Sequence, residues 1–123
     1  MLNHEKIMAF VGVSNADKAR AFYRDTLGLT MLYEDGFALV FEIGGIMLRV
    51  TLVGEVRPQP YTVLGWQVSD ATATARALTS AGVKLERYPH VPQDEDGIWT
   101  APGGAKIAWF RDPDGNILSI SQH

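Results

Sequence analysis

Apolar and polar positions along the chain change period repeatedly, and the changes mark the elements. Ile7 to Val13 is a short apolar run of the length of a buried strand. Ser14-Asn15 then offers a short side-chain oxygen to a free backbone N–H, which predicts a helix N-cap. From Ala16 the period turns helical: Ala19, Phe22, Tyr23, Thr26 and Leu27 fall on one face, and Gly28 ends the helix. Leu29 to Glu34, Phe37 to Ile43 and Ile46 to Val53 read as strands, separated by Asp35-Gly36 and Gly44-Gly45. The predicted order is β-α-β-β-β.

Gly54 to Pro60 is polar and proline-bearing, as a linker would be. After it the pattern returns. Tyr61 to Val68 reads as a strand, and Asp70 caps a helix whose inner face carries Ala71, Ala75 and Leu78. Gly82 ends that helix. Val83 to Tyr88 reads as a strand, Pro89 to Gly97 as a polar, acidic loop, and Ile98 to Ala101, Ala105 to Arg111 and Ile117 to Ser121 as the last strands. Between the final pair lies Asp112-Pro113-Asp114-Gly115-Asn116. Pro113 presets a turn φ there, while Gly115 and Asn116 tolerate a positive one. Residues repeat as well as periods. Val13-Ser14-Asn15-Ala16 matches Val68-Ser69-Asp70-Ala71, Gly28-Leu29 matches Gly82-Val83, and Gly44-Gly45 recurs as Gly103-Gly104. A spacing of about 55 residues with one element order argues for an internal duplication. The expectation is a single domain over 1–123, with module one at about 5–54 and module two at about 61–122.

Composition narrows the function classes. A formal net charge of −3 gives no basic footprint for nucleic acid. No apolar run is long enough to span a bilayer, and the amino-terminal residues lack the apolar core of a signal peptide. The absence of cysteine excludes disulfides, thiolate ligands and cysteine nucleophiles, and it fits a reducing cytoplasm. No serine–histidine–acid set stands in suggestive context. Neither Gly103-Gly104 nor Asp114-Gly115 opens a helix, so no phosphate cradle is visible.

The doubled β-α-β-β-β module, with Phe22-Tyr23…Leu27-Gly28 closing the first helix and Asp112-Pro113-Asp114-Gly115-Asn116 before the last strand, resembles the glyoxalase/bleomycin-resistance/dioxygenase superfamily, the vicinal oxygen chelate proteins. The resemblance covers nearly the whole chain. It implies an α+β fold in which two curled sheets enclose a pocket. It also implies one of two kinds of function: an enzyme using a divalent metal, or a metal-free protein that binds and sequesters a small molecule. Metalloenzymes of the family set their ligands in the first and last strands of each module. Carried onto this chain, those positions fall at Met8, near Arg49, at Val63 and at Ser119. None is a good donor for a hard or borderline cation, and Arg49 would repel one. No cofactor is expected. His90 with Asp94, Glu95 or Asp96 is the one other place a metal could be sought, and those acids also read simply as a solvated loop.

Alternation from those positions predicts the pocket wall: Met8, Phe10, Met47, Arg49, Thr51, Val63, Gln67, Ile117 and Ser119. The opposite parity holds Ile7, Ala9, Val11, Leu48, Val50, Leu52, Leu64, Trp66, Val68, Leu118 and Ile120, almost wholly apolar, as a face packed under helices must be. Met8, Phe10, Met47, Arg49, Val63, Gln67 and Ser119 are therefore the candidate ligand-binding residues. Arg49 puts a guanidinium where relatives grip a cation, suited to a ligand carboxylate, phosphate or enolate-like oxygen. The plainer alternative is that it faces solvent or pairs with an acid such as Glu42. Arg111 is expected to brace Asp112 or Asp114, the alternative being contact with a ligand, and Trp99 to hinge or cap the pocket. The expected function is metal-free binding of a small, partly apolar molecule. The alternative is a glyoxalase-type lyase, isomerase or dioxygenase. By resemblance the chain pairs into a homodimer; no nucleic-acid or membrane partner is expected.

Overall fold

The computed structural model describes residues 1–123. The chain divides into two compact units, Met1–Arg57 and Pro58–His123, with the boundary inside the proline-bearing stretch 54–60. Each unit carries a four-stranded mixed sheet with one helical segment.

The first unit contains β1 (Met8–Val13), α1 (Ala16–Ala19) running into a π-helical segment (Arg20–Thr26), β2 (Thr30–Glu34), β3 (Ala38–Ile43) and β4 (Ile46–Leu52). Strand order is β1-β4-β3-β2, with β1 parallel to β4 and the remaining neighbours antiparallel. Asn15 caps α1 by accepting from the Lys18 backbone N–H at 2.9 Å. The regular helix expected as far as Gly28 is not what forms. Its second half widens, so that the Leu27 N–H reaches the Phe22 carbonyl, five residues back, at 2.9 Å. Tyr23 is fully buried there and tilts against Phe41, their centroids 6.2 Å apart. Phe22, Thr26 and Leu27 are only partly buried, because the wider turn no longer stacks them on one stripe.

A bulge in β2 also departs from simple alternation. Thr30 faces Glu42 and Met31 faces Phe41, but Tyr33 faces Val40, so Leu32 is the extra residue. The slip turns Glu34 toward the helical side, where Arg20 donates to it at 2.8 Å. Ile7, expected inside, is exposed just ahead of β1.

The second unit contains β5 (Thr62–Gln67), α2 (Ala71–Ser80), β6 (Trp99–Thr100), β7 (Lys106–Arg111) and β8 (Ile117–Gln122), in sheet order β5-β8-β7-β6. Asp70 caps α2 through the Ala73 N–H, and Ala71 and Ala75 are fully buried. The face toward α2 carries Ala108, Phe110, Leu118 and Ile120, all buried. Trp66 also faces this side but is half-buried; it stacks on Phe110 with centroids 6.3 Å apart. The strand expected over 83–88 does not form. Only a bridge from Leu85 to Phe110 and a Glu86 N–H donating to the Trp109 carbonyl remain. Arg87 explains the diversion: its guanidinium donates to the carbonyls of Asp94 and Glu95, drawing this segment onto the loop instead of along β7.

The turn between β7 and β8 is organised by one side chain. Buried Asp112 accepts from the Asp114 and Asn116 backbone N–H groups on Oδ1 and from Asn116 Nδ2 on Oδ2, at 2.8 to 3.0 Å. Gly115 supplies the positive φ, +87°. Asn116 is not left-handed, since no non-glycine residue in the chain has positive φ.

Gly65 is required for a different reason. A methyl group there would lie 2.8 Å from Ser119 Oγ and 3.4 Å from the Ser119 carbonyl oxygen. Gly65→Ala is expected to lower stability by about 1–3 kcal/mol, read by urea unfolding. Ser119→Ala in the same chain should return part of that loss, and strict additivity of the two would contradict the contact.

Candidate functional site

The helix-free face of the first unit gathers four of the sequence candidates. β1 and β4 are in parallel register, Met8 opposite Met47 and Phe10 opposite Arg49. Cross-strand neighbours share a face, so Val40 and, through the bulge, Tyr33 continue the Arg49 row. Phe10 is 61% exposed and Met8 45% exposed, while Met47 and Arg49 are half-buried. Glu42 is not the partner of Arg49; its carboxylate accepts from the Gly45 N–H. Arg49 instead lies 3.6 Å from Asp35 Oδ2. Asp35 is itself the core of a turn, accepting from the Phe37 and Ala38 N–H groups at 2.9 Å each.

Those backbone donors, and Arg49 after them, hold the Asp35 carboxyl below its ordinary pKa. A depressed folded-state pKa means that the carboxylate stabilises this turn above the unfolded value. That contribution is lost as pH falls through the lower folded value. The Asp35 carboxyl carbon should therefore titrate by NMR with a midpoint below that of a free aspartate, about 3.9. An unshifted midpoint would contradict the turn geometry.

The remaining candidates lie on the second unit, and the register rearranges them. β5 is bulged between Thr62 and Leu64, where two steps along β5 match one along β8. Val63 is the extra residue, so Thr62, not Val63, stands opposite Ile117 on the helix-free face. Gly65 faces Ser119 and Gln67 faces Ser121 on the same side. From β7 the same face receives Arg111, Trp109 and Ile107. Here the structure holds a pocket of about 350 Å³, with Tyr61, Thr62, Tyr88, Trp109, Arg111 and Ile117 in its wall. The sequence pattern pointed to Ile117 among these but not to the aromatic set: alternation along β7 brings up Trp109, while Tyr61 comes from just ahead of β5 and Tyr88 from the 83–88 segment.

The aromatic side chains are locked together. Trp99 lies near-parallel to Trp109 at 6.1 Å between centroids, and Tyr88 meets Trp109 edge-on at 5.5 Å. Trp99 is thus a backing plate for Trp109. Burial raises the Tyr88 pKa, and the nearby Arg111 charge opposes that only in part, so Tyr88 presents a neutral hydroxyl. Arg111 does not bind Asp112 or Asp114. Its Nε donates to Glu86 Oε1 at 2.5 Å and its Nη1 to the Gly115 carbonyl at 2.9 Å. The loop behind is held too. Gln93 accepts from the Tyr88 N–H and donates to the Glu86 and Gly97 carbonyls, and Arg76 makes a two-point pair with Asp96.

The side chains at the positions carried over from the family are the Met8 thioether and the Arg49 guanidinium on the first unit, and on the second the Ser119 hydroxyl with the Val63 isopropyl group, or the Thr62 hydroxyl that the bulge puts in its place. That set does not fit a hard or borderline divalent ion. Nor do His90 and the loop acids converge: no group of three or more His, Cys, Asp or Glu side chains comes together in a ligating arrangement. Asp94 is turned inward to accept from the Asp96 and Ile98 N–H groups.

Two four-stranded mixed sheets, each built as a strand, a helix and three strands, define a vicinal oxygen chelate fold. The model of the Glyoxalase/Bleomycin resistance protein/Dioxygenase superfamily matches residues 5–120, and the chain belongs to that family. YraH of Bacillus subtilis strain 168 is 31% identical, over 88% of this chain and 90% of the relative. Among solved structures, a glyoxalase family protein from Enterococcus faecalis superposes with a TM-score of 0.75 at 21% identity, over 98% of this chain and 99% of that one. A lactoylglutathione lyase from Agrobacterium tumefaciens superposes with a TM-score of 0.72 at 20% identity, over 97% and 93%. At such identities the two structures show the fold. No helix of the chain is long and apolar enough to cross a membrane.

Proposed function

We propose that this protein binds a small, partly apolar organic molecule without a metal ion or other cofactor. The observation that carries the reading is the pocket of the second unit: aromatic and aliphatic walls with one anchored guanidinium, and no metal-ligating set beside it. A concave, mainly apolar surface with few polar groups suits a small organic ligand. On the first unit, exposed Phe10 and Met8 with half-buried Met47 and Arg49 are proposed as a binding surface of that unit's own, and on the second unit Gln67 and Ser119, on the helix-free face, are proposed as further ligand contacts. Val63, displaced by the bulge, belongs at the rim of this set. A second copy of the chain as partner, and a cytoplasmic location in keeping with the lack of cysteine, complete the proposal.

The test combines chelator treatment, thermal shift and a hydrophobic dye. Chelated protein should keep its melting temperature on addition of Zn²⁺, Ni²⁺ or Mn²⁺, and should still enhance the fluorescence of 8-anilinonaphthalene-1-sulfonate. Turnover of methylglyoxal hemithioacetal that a chelator abolishes would replace this reading with the glyoxalase-type one. Light scattering should give a mass near two chains; a mass near one would remove the dimer.

A further inference from the structure

The pocket of the second unit has a chemical bias that follows from how its walls are fixed. Trp109 cannot rotate freely, because Trp99 backs one side and the Tyr88 ring meets it edge-on. A preset aromatic plate favours a flat π-surface over a puckered aliphatic one of equal bulk, since offset-stacked and edge-to-face contacts add to simple area burial. Thr62 and Ile117 form the wall from the β5–β8 pair. A volume of about 350 Å³ sits at the small end of ligand pockets, enough for a compact ring system.

Arg111 supplies the polar half. Two of its nitrogens are spent on Glu86 and the Gly115 carbonyl, which fixes the guanidinium plane. Nη2 donates to no protein atom, and 42% of the side chain is exposed. A planar donor fixed through Nε and Nη1 leaves Nη2 to an oxygen acceptor lying in the guanidinium plane. Glu86 already offsets the positive charge, so the site asks for an acceptor and not for a multiply charged anion.

We infer that this pocket selects compact planar aromatic molecules bearing a conjugated oxygen acceptor, the ring lying against Trp109 and Tyr88 and the oxygen accepting from Arg111 Nη2. The inference rests on the small-molecule reading above and specifies its ligand class.

Three probes separate the parts: 2-naphthoate, its saturated counterpart decalin-2-carboxylate, and 2-methylnaphthalene, which lacks the oxygen. Each is titrated into chelator-treated full-length protein. Binding is read from the Trp109 indole N–H and the Arg111 Nε–H in ¹H–¹⁵N NMR, the indole signal being assigned through Trp109→Phe. 2-Naphthoate should shift both signals and bind roughly fivefold or more tighter than decalin-2-carboxylate. Arg111→Lys should weaken 2-naphthoate by about tenfold while leaving 2-methylnaphthalene unchanged. Trp109→Leu should erase the preference for the aromatic over the saturated acid, and Trp109→Phe should keep most of it. Melting temperatures of the variants separate lost binding from lost folding. Equal binding of the saturated and aromatic acids would overturn the inference while leaving metal-free binding in place. Binding that appears only when Zn²⁺, Ni²⁺ or Mn²⁺ is added would overturn the metal-free reading itself. No shift with any probe would overturn the inference.

Discussion

Phe110→Ala is expected to lower the unfolding free energy by about 3–5 kcal/mol, the largest effect anticipated for a single substitution in the second unit. Phe110 is 1% exposed. It pairs with Leu118 across β7 and β8, stacks on Trp66 and receives the Leu85 bridge. Truncation therefore leaves a cavity where strand, helix and the 83–88 segment meet. The effect should reach the pocket, because Phe110 sits between Trp109 and Arg111 and its anchoring fixes the alternation that turns both to the other face. Urea unfolding at constant m-value gives the stability term. A loss under about 1 kcal/mol would show that the packing around Phe110 is looser than described.

Asp112→Ala is expected to remove about 3 kcal/mol through a different mechanism. The carboxylate satisfies two backbone N–H groups and the Asn116 amide, and both Asp112 and Asn116 are buried. Deleting it leaves donors without acceptors, each costing about 1–3 kcal/mol in a buried setting, reduced by whatever water enters the turn. Asp112→Asn keeps one carbonyl oxygen and should retain part of the stability. Since the Gly115 carbonyl from this turn holds Arg111, the alanine variant should also broaden the Arg111 Nε–H signal. Equal stability of the alanine and asparagine variants would contradict the acceptor role.

Most of the fold was legible because duplication wrote it twice. Period-two runs marked the strands, Asn15 and Asp70 marked the helix starts, and Asp112 to Asn116 marked the last turn. What was not legible depends on contacts that a local pattern does not carry. The bulges at Leu32 and Val63 reverse the parity of Tyr33, Glu34 and Thr62, and nothing in the composition of either strand announces them. The 83–88 segment has strand-like residues, yet Arg87 finds carbonyl partners in the loop and the ladder is broken. Arg49 and Arg111 were singled out correctly as charges on strands, but their partners, Asp35 and Glu86, come from elements whose approach only the tertiary structure defines. The aromatic pocket was hidden in the same way. Tyr88 and Trp109 line it while Trp99 backs Trp109; the three lie on separate segments, and only their convergence makes the wall.

Elemental analysis of the purified protein, read beside a 2-naphthoate titration of the same sample, bears most directly on ligand capture by side chains alone. Substoichiometric Zn, Ni, Mn and Fe, with saturable binding that chelation leaves untouched, is the expected result. One tightly held metal ion per chain, whose removal abolishes binding, would contradict it.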